Sequence, residues 1–462
     1  MTRFNLLLSA ILVIMASSCC NNAQTDDYNP FPAKWMFNTD NIPLYESNWT
    51  GEDHYLGAMT GSPAKITVVR SESRKDIPFS YRMKGNRPEV STLTENDYIL
   101  FSTPVANIAK GSNIEIDAVV MSYPNSPKYF IAEIYDNGEW KASEADLRTA
   151  EENPEIRYTF ECSGTGSNQY QYNSIYQTFR LEKPVCKSDL KIRFRAVGDI
   201  TCSGEPQSAD AENAWIGLVG GGFTGAYIQN YGTETPKDTT SVLCLGNSFT
   251  YYWNTPSMLK EIAWSQGHYF DVFAHLKGGQ TFGQHTALSL THDAIEAQVY
   301  DYAVLQDQSM AAANYVTDKA KYAYVPEDFE KLCEMILVHS PECELILEHT
   351  WGYSKDDCKG FQTIENFNAK LKEGCNIIAP LADAEISHIG DAFLAVDTKQ
   401  LGNSLHASDK HHQSYYGSYL KSCVNYLMIT GEPFNENAAN CGIDAEKARY
   451  LRETAEKIVL GE

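Results

Sequence analysis

The chain has no C-x-x-C pair although it holds 12 cysteines in 462 residues. A zinc or iron–sulfur site built on that spacing therefore has no support, and neither metal nor cofactor is expected. Positive charge is scarce: 37 Lys and Arg stand against 60 Asp and Glu, a net charge of −23. That balance repels a phosphate backbone and makes nucleic acid a poor partner. It suits neutral or weakly charged substrates better than polyanions. Beyond the first twenty residues no run is apolar enough to span a bilayer. Charged residues make up 21% of the chain, too few beside 28 Tyr and 19 Phe for a disordered one. What remains is a globular body with ample core material and a length that predicts two or three domains.

The first residues differ from the rest. Arg3 precedes an apolar run from Leu6 to Ala16, followed by Ser17, Ser18 and Cys19. This is the pattern of a secretory signal peptide over 1–18, too short for an anchor helix. Small residues directly before a Cys resemble a bacterial lipoprotein signal, which implies a lipid on Cys19, a tether over 19–29 and export to a membrane surface. An exported chain can form disulfides, and Cys162, Cys186 and Cys202 lie close enough in sequence for one bridge.

From residue 30 to 232 the pattern is that of short strands. Ile114, Ile116, Ala118 and Val120 alternate with Glu115, Asp117 and Val119, as Leu190, Ile192, Phe194 and Ala196 do with Lys191, Arg193 and Arg195. Asn137-Gly138 marks a tight turn. The reading is an all-β sandwich of jelly-roll type, with Trp35, Trp49, Trp140 and Trp215 in its core. Residues 233–240 lack large apolar side chains and read as a linker. From 241 to 462 apolar runs (Val242–Leu245, Tyr302–Leu305, Leu345–Leu347) alternate with helical patterns. Pro256 to Gln266 is one; Phe329, Leu332, Cys333, Ile336 and Leu337 form another. That alternation predicts a three-layer α/β domain with a parallel sheet. The whole is multidomain.

An open parallel sheet carries its site at the carboxyl ends of its strands. Gly246-Asn247-Ser248-Phe249-Thr250 follows the first apolar run there directly. Ser248 stands at a helix start, where free N–H groups favour a developing anion; alternatively, Ser248 and Thr250 simply cap that helix. A serine nucleophile needs a base, usually a His oriented by a carboxylate. Asp409-Lys410-His411-His412 supplies both, three residues apart, before a helical stripe of Tyr416, Leu420, Cys423, Val424 and Leu427. The other histidines His285, His292, His349 and His388 read as structural or solvent-facing.

Together these segments resemble the SGNH (GDSL-like) hydrolase superfamily over about residues 240–435. The first block is Gly246-Asn247-Ser248, with Asn247 where Asp is usual. The second is Gly279, in Lys277-Gly278-Gly279-Gln280. The third, usually an Asn, is here Gln306-Asp307-Gln308-Ser309. The fifth is Asp409 to His412, with Gln413 in place of a frequent Pro. Thr350-Trp351 completes a subgroup pattern. The resemblance implies that Ser248 attacks an ester carbonyl, His412 takes its proton and Asp409 holds the imidazole. The Ser248 and Gly279 amides with a glutamine side chain would form the oxyanion hole. Gln308 is favoured over Gln306 because it lies beyond the strand end. An exported sandwich-plus-esterase implies removal of O-acyl groups, most simply acetyl, from a polysaccharide or oligosaccharide. The competing readings are a lipase or thioesterase of the same superfamily and an inactive glycan-binding lipoprotein.

Overall fold

The computed structural model describes residues 33–36, 56–57, 64–84, 87–91, 93–142, 158–159, 171–208, 215–218, 224–233, 238–354 and 357–461. The 1–18 leader, Cys19, the 19–29 tether, Trp49 and Cys162 lie outside them. The chain divides into two units, mainly Leu44–Gly221 and Pro236–Glu462. Among the described residues no helix is long and apolar enough to cross a membrane.

The first unit holds two sheets whose paired strands run antiparallel. Its strands are β1 Ala33–Met36, β2 Leu56–Gly57, β3 Lys65–Val69, β4 Tyr81–Lys84, β5 Arg87–Ser91, β6 Tyr98–Ile108 and β7 Asn113–Ser122. β8 Pro127–Asp136, β9 Glu139–Ala142, β10 Tyr158–Thr159, β11 Gln171–Arg180, β12 Val185–Thr201, β13 Trp215–Leu218 and β14 Thr224–Asn230 follow. One sheet runs β1-β14-β7-β13-β5-β4 with β11 on the other side of β7; the second runs β10-β8-β12-β6-β3-β2 with β9 on β8. Ile114, Ile116, Ala118 and Val120 of β7 share one core with Phe101, Phe130, Ile192 and Phe194 of the second sheet. Alternation thus places the inward face as expected. The outward face departs from expectation, since Glu115 is itself buried. Trp35 is a core residue, whereas Trp140 and Trp215 are half-exposed and do not belong to it. Cys186 is disulfide-bonded. Cys202 is not, its thiol lying 3.4 Å from the Pro127 carbonyl oxygen.

The second unit is built on β15 Thr239–Gly246, β16 Tyr269–Leu276, β17 Tyr302–Leu305, β18 Glu344–Glu348 and β19 Glu385–Ser387, all parallel, in the order β16-β15-β17-β18-β19. Thr239 and Thr240, expected in the linker, are already β15, because their backbones pair with Tyr269 and Phe270. Residues 234–237 of that linker lie outside the described chain. Consecutive residues Val242 to Leu245 are all buried, as a strand covered on both faces requires.

Among the helices are α1 Ser248–Tyr251, α2 Thr255–Ser265, α3 Phe282–His285, α4 Ser289–Glu296, α5 Ala311–Thr317, α6 Tyr324–His339, α7 Ile364–Ile378, α8 Ile389–Ala395, α9 Thr398–Leu401, α10 Tyr415–Thr430 and α11 Ala445–Val459. Leu243, Leu245, Ala303, Leu305, Leu345 and Leu347 pack beneath α6 and α7, against Phe329, Leu332, Ile336 and Cys375. The α10 helix is wider in its burial than the expected stripe. Ser418, Lys421, Ser422 and Asn425 are buried too, and Tyr416 is only half-buried.

Candidate active site

β15 runs second in the sheet, with later strands added on both sides, so its carboxyl end opens at the topological switch point. The chain leaves it through Gly246, where a Cβ would come within 2.8 Å of Gln306 Oε1. Asn247 then caps α1, its Oδ1 accepting from the Phe249 N–H at 3.1 Å. Its Nδ2 donates to the carbonyl oxygens of Gln280 (2.8 Å) and Asp307 (3.2 Å). An Asp there would lack both donations. The residue that departs from the common block thus ties together the loops after β15, β16 and β17.

Ser248 does not cap the helix with its hydroxyl. Its Oγ lies 2.7 Å from His412 Nε2, and His412 Nδ1 lies 2.5 Å from Asp409 Oδ2. Asp409 Oδ1 accepts the N–H groups of His411 (3.1 Å) and His412 (3.0 Å), which turns the loop around the carboxylate. Burial raises the Asp409 pKa, but the bond and charge of His412 outweigh it and hold the carboxyl well below its ordinary value. For His412 burial is the larger influence and lowers its pKa, with Asp409 pulling the other way. The ring is therefore neutral at neutral pH, the state a general base needs.

Gly279 has φ +72°, a conformation that favours glycine. Neither its N–H nor that of Ser248 has a protein acceptor among the described residues. Gln306 and Gln308 take different places. Gln306 is buried, its Oε1 accepting from Asn247 N (2.9 Å) and Thr250 Oγ1 (3.1 Å), and its Nε2 donates to the Asp307 carbonyl oxygen. It is fully engaged behind the Gly246–Thr250 loop. Gln308 has its Oε1 fixed by the Met310 N–H at 2.9 Å, while its Nε2 makes one long contact of 3.5 Å to Ser309 Oγ.

Three features were not foreseen from the sequence. Asp307, half-buried between the glutamines, accepts from the N–H groups of Phe282 (3.0 Å) and Gln308 (2.7 Å); desolvation raises its pKa to about 7 against those bonds. Gln413 donates to the Phe249 carbonyl oxygen at 3.0 Å, a contact that the frequent Pro cannot make. Lys421 donates to the same oxygen (2.8 Å) and to Thr250 Oγ1 (2.9 Å), and pairs with Glu348 at 2.5 Å, both side chains wholly buried. A Lys within an otherwise apolar helix and a Glu closing a buried strand were the available signals.

The other histidines have structural partners. His285 Nε2 lies 3.0 Å from the Gly246 carbonyl oxygen and Nδ1 3.1 Å from Thr291 Oγ1, and burial lowers its pKa to about 4. It is neutral, donating from Nε2 and accepting at Nδ1. His292 Nε2 faces the Thr286 carbonyl oxygen at 3.0 Å. His349, His388 and Asp391 form a group of metal-ligand type. Asp391, however, already accepts from Lys372 (2.7 Å) and Asn368 (3.1 Å).

A parallel sheet with its first strand second in order, a serine on the turn after that strand and an Asp-x-x-His before the last packed helices occur together here. This is the arrangement that the resemblance to the SGNH (GDSL-like) hydrolases implies. The chain is similar to several solved structures at low identity. A DUF4886 family protein from Bacteroides uniformis is 20% identical with a TM-score of 0.42, over 48% of this chain and 95% of that one. A candidate GDSL-like lipase from Bacteroides ovatus is 11% identical with a TM-score of 0.29, over 72% and 83%. An acetyl xylan esterase from Geobacillus stearothermophilus is 16% identical with a TM-score of 0.32, over 43% and 97%. No family model and no curated protein matches the chain.

Proposed function

We propose that the chain is a carboxylic ester hydrolase using Ser248 as nucleophile, His412 as general base and Asp409 as its orienting carboxylate. The Ser248–His412–Asp409 relay, continuous at 2.7 and 2.5 Å, carries this reading. Ser248 Oγ attacks the ester carbonyl as Nε2 takes its proton. The imidazolium then returns the proton to the leaving alkoxide, and water cleaves the acyl-enzyme by the same route. The amides of Ser248 and Gly279 receive the oxyanion. Gln308 Nε2 is the third donor in this proposal, since its other end is anchored and Gln306 is occupied.

The proposed substrate is an O-acylated, chiefly O-acetylated, carbohydrate, with the mature chain held at a membrane surface by a lipid on Cys19. The acidic balance of the chain is compatible with a neutral glycan. Half-exposed Tyr98 and Trp140 and exposed Tyr135 lie together on the second sheet, rings 5.2–6.2 Å apart, beside Arg193. Aromatic faces with a polar neighbour suit sugar rings. The test compares release of acetate from acetylated glycans with hydrolysis of short- and long-chain aryl esters, wild type against Ser248→Ala. Acetate release that depends on Ser248 is expected. Preference for long acyl chains would replace the carbohydrate reading by a lipase one. An unreactive Ser248 with every ester and with a fluorophosphonate would end the enzyme reading.

A further inference from the structure

The residues just after α1 are unusual. Trp253 has φ +60° and Asn254 φ +51°, two consecutive non-glycine residues in the left-handed region. Asn tolerates that conformation; for a bulky Trp it is a real outlier. Such backbone persists only where its surroundings over-determine it. Here they do. Trp253 is fully buried, edge-on to Tyr415 at 5.5 Å, and its Nε1 donates to the Gln413 carbonyl oxygen at 3.2 Å. In the opposite direction Gln413 Nε2 donates to the Tyr252 carbonyl oxygen at 3.4 Å, which also accepts from Ser418 Oγ at 3.1 Å and Thr255 Oγ1 at 3.2 Å. The segments Tyr252-Trp253 and His412-Gln413 are thus laced together by side chains crossing both ways.

The lacing has a product. The Tyr252 ring lies face to face with the His412 imidazole, centroids 4.1 Å apart and planes 8° from parallel. We propose that Tyr252 is a positioning residue for His412: the left-handed turn presses its ring flat on the imidazole, fixing the plane in which Nε2 faces Ser248. This rests on the ester-hydrolase reading of the same site. A flat π-face also attracts the imidazolium that forms during turnover more than it attracts the neutral ring. The other titratable groups facing His412 are Asp409, bonded to Nδ1, and His411, whose ring centre is 4.4 Å away. Asp409 favours the charged ring and His411 opposes it.

The test compares Tyr252→Leu, which keeps an apolar cover without a π-face, with Tyr252→Phe, which keeps the face without the hydroxyl. For Tyr252→Leu, kcat should fall about tenfold with KM little changed, a loss within the range of a partly desolvated cation–π contact. The acid limb of the kcat/KM profile and the His412 ring titration, followed by NMR, should both move to lower pH. Tyr252→Phe should restore both. Gln413→Met, which removes the side-chain half of the lacing and its bond to the Phe249 carbonyl oxygen but keeps the Tyr252 ring, should shift the titration the same way and add little to Tyr252→Leu. If Tyr252→Leu leaves the titration and the profile where they are, or if Phe fails as badly as Leu, the proposal is overturned. The NMR titration needs no turnover. A wild type inactive on every ester would overturn the enzyme reading, while the ring titration would still decide whether Tyr252 acts on His412.

Discussion

At the scale of single residues, the candidate site depends on which atom of each side chain is already occupied. Gln306 and Gln308 are two residues apart and chemically identical. The first spends its oxygen on the Ser248 loop and its nitrogen on the Asp307 carbonyl oxygen, whereas the second has only its oxygen fixed. Gln308→Ala is therefore expected to lower kcat by about 10²–10³ with KM little changed, because an oxyanion contact strengthens only as charge develops. A variant that keeps kcat and loses only affinity would make Gln308 a binding residue. Asp409→Asn should leave the fold intact and cut kcat by up to about 10⁴, since an amide selects the wrong imidazole tautomer; steady-state kinetics with a short-chain ester reads both variants. The Ser248, His412 and Asp409 positions were legible because each block has fixed spacing within a few residues. The Tyr252 stack was not, because it depends on two backbone angles that no residue pattern announces.

At the scale of elements, the turn that carries Ser248 is supported from behind by α10 and β18. Phe249 and Thr250, on the turn, share Lys421, whose charge is met by Glu348, itself held by Asn425 Nδ2 at 2.9 Å. Removing one member of such a pair leaves an uncompensated buried charge. Glu348→Ala should cost about 3–5 kcal/mol in a denaturant titration. The double change Glu348→Leu with Lys421→Met should recover most of that cost. Equal destabilisation by single and double variants would mean that packing, not charge, is at stake. Apolar periodicity revealed that α10 exists but misjudged its surroundings. A stripe predicts one buried face, whereas α10 is enclosed on nearly every side, and its polar residues are satisfied by carbonyl oxygens of Phe249, Tyr252 and Thr255 and by Glu348. The β7 strand misled in the same way, since Glu115 alternates correctly and is nevertheless covered.

At the scale of the whole molecule, the two units have different supports. Cys186, in the first, is disulfide-bonded, while the described cysteines of the second are all buried thiols. Reductant is accordingly expected to lower the melting temperature of the sandwich, with a cost of about 2–5 kcal/mol, and to leave ester hydrolysis untouched. Calorimetry alongside an activity assay would show it, and loss of activity on reduction would contradict it. The change from period two to alternating strand and helix made both units readable, but pairing order was not, because register and neighbour choice are settled by contacts distant in sequence. The same distance has a temporal meaning. The proposed nucleophile and its base lie 164 residues apart, and every strand of the parallel sheet precedes the base. A nascent chain that has emerged only as far as Ser387 would carry a complete set of the described sheet strands and a serine with nothing to deprotonate it. Hydrolytic competence would then arrive as the last event of folding, and every shorter chain would be chemically silent.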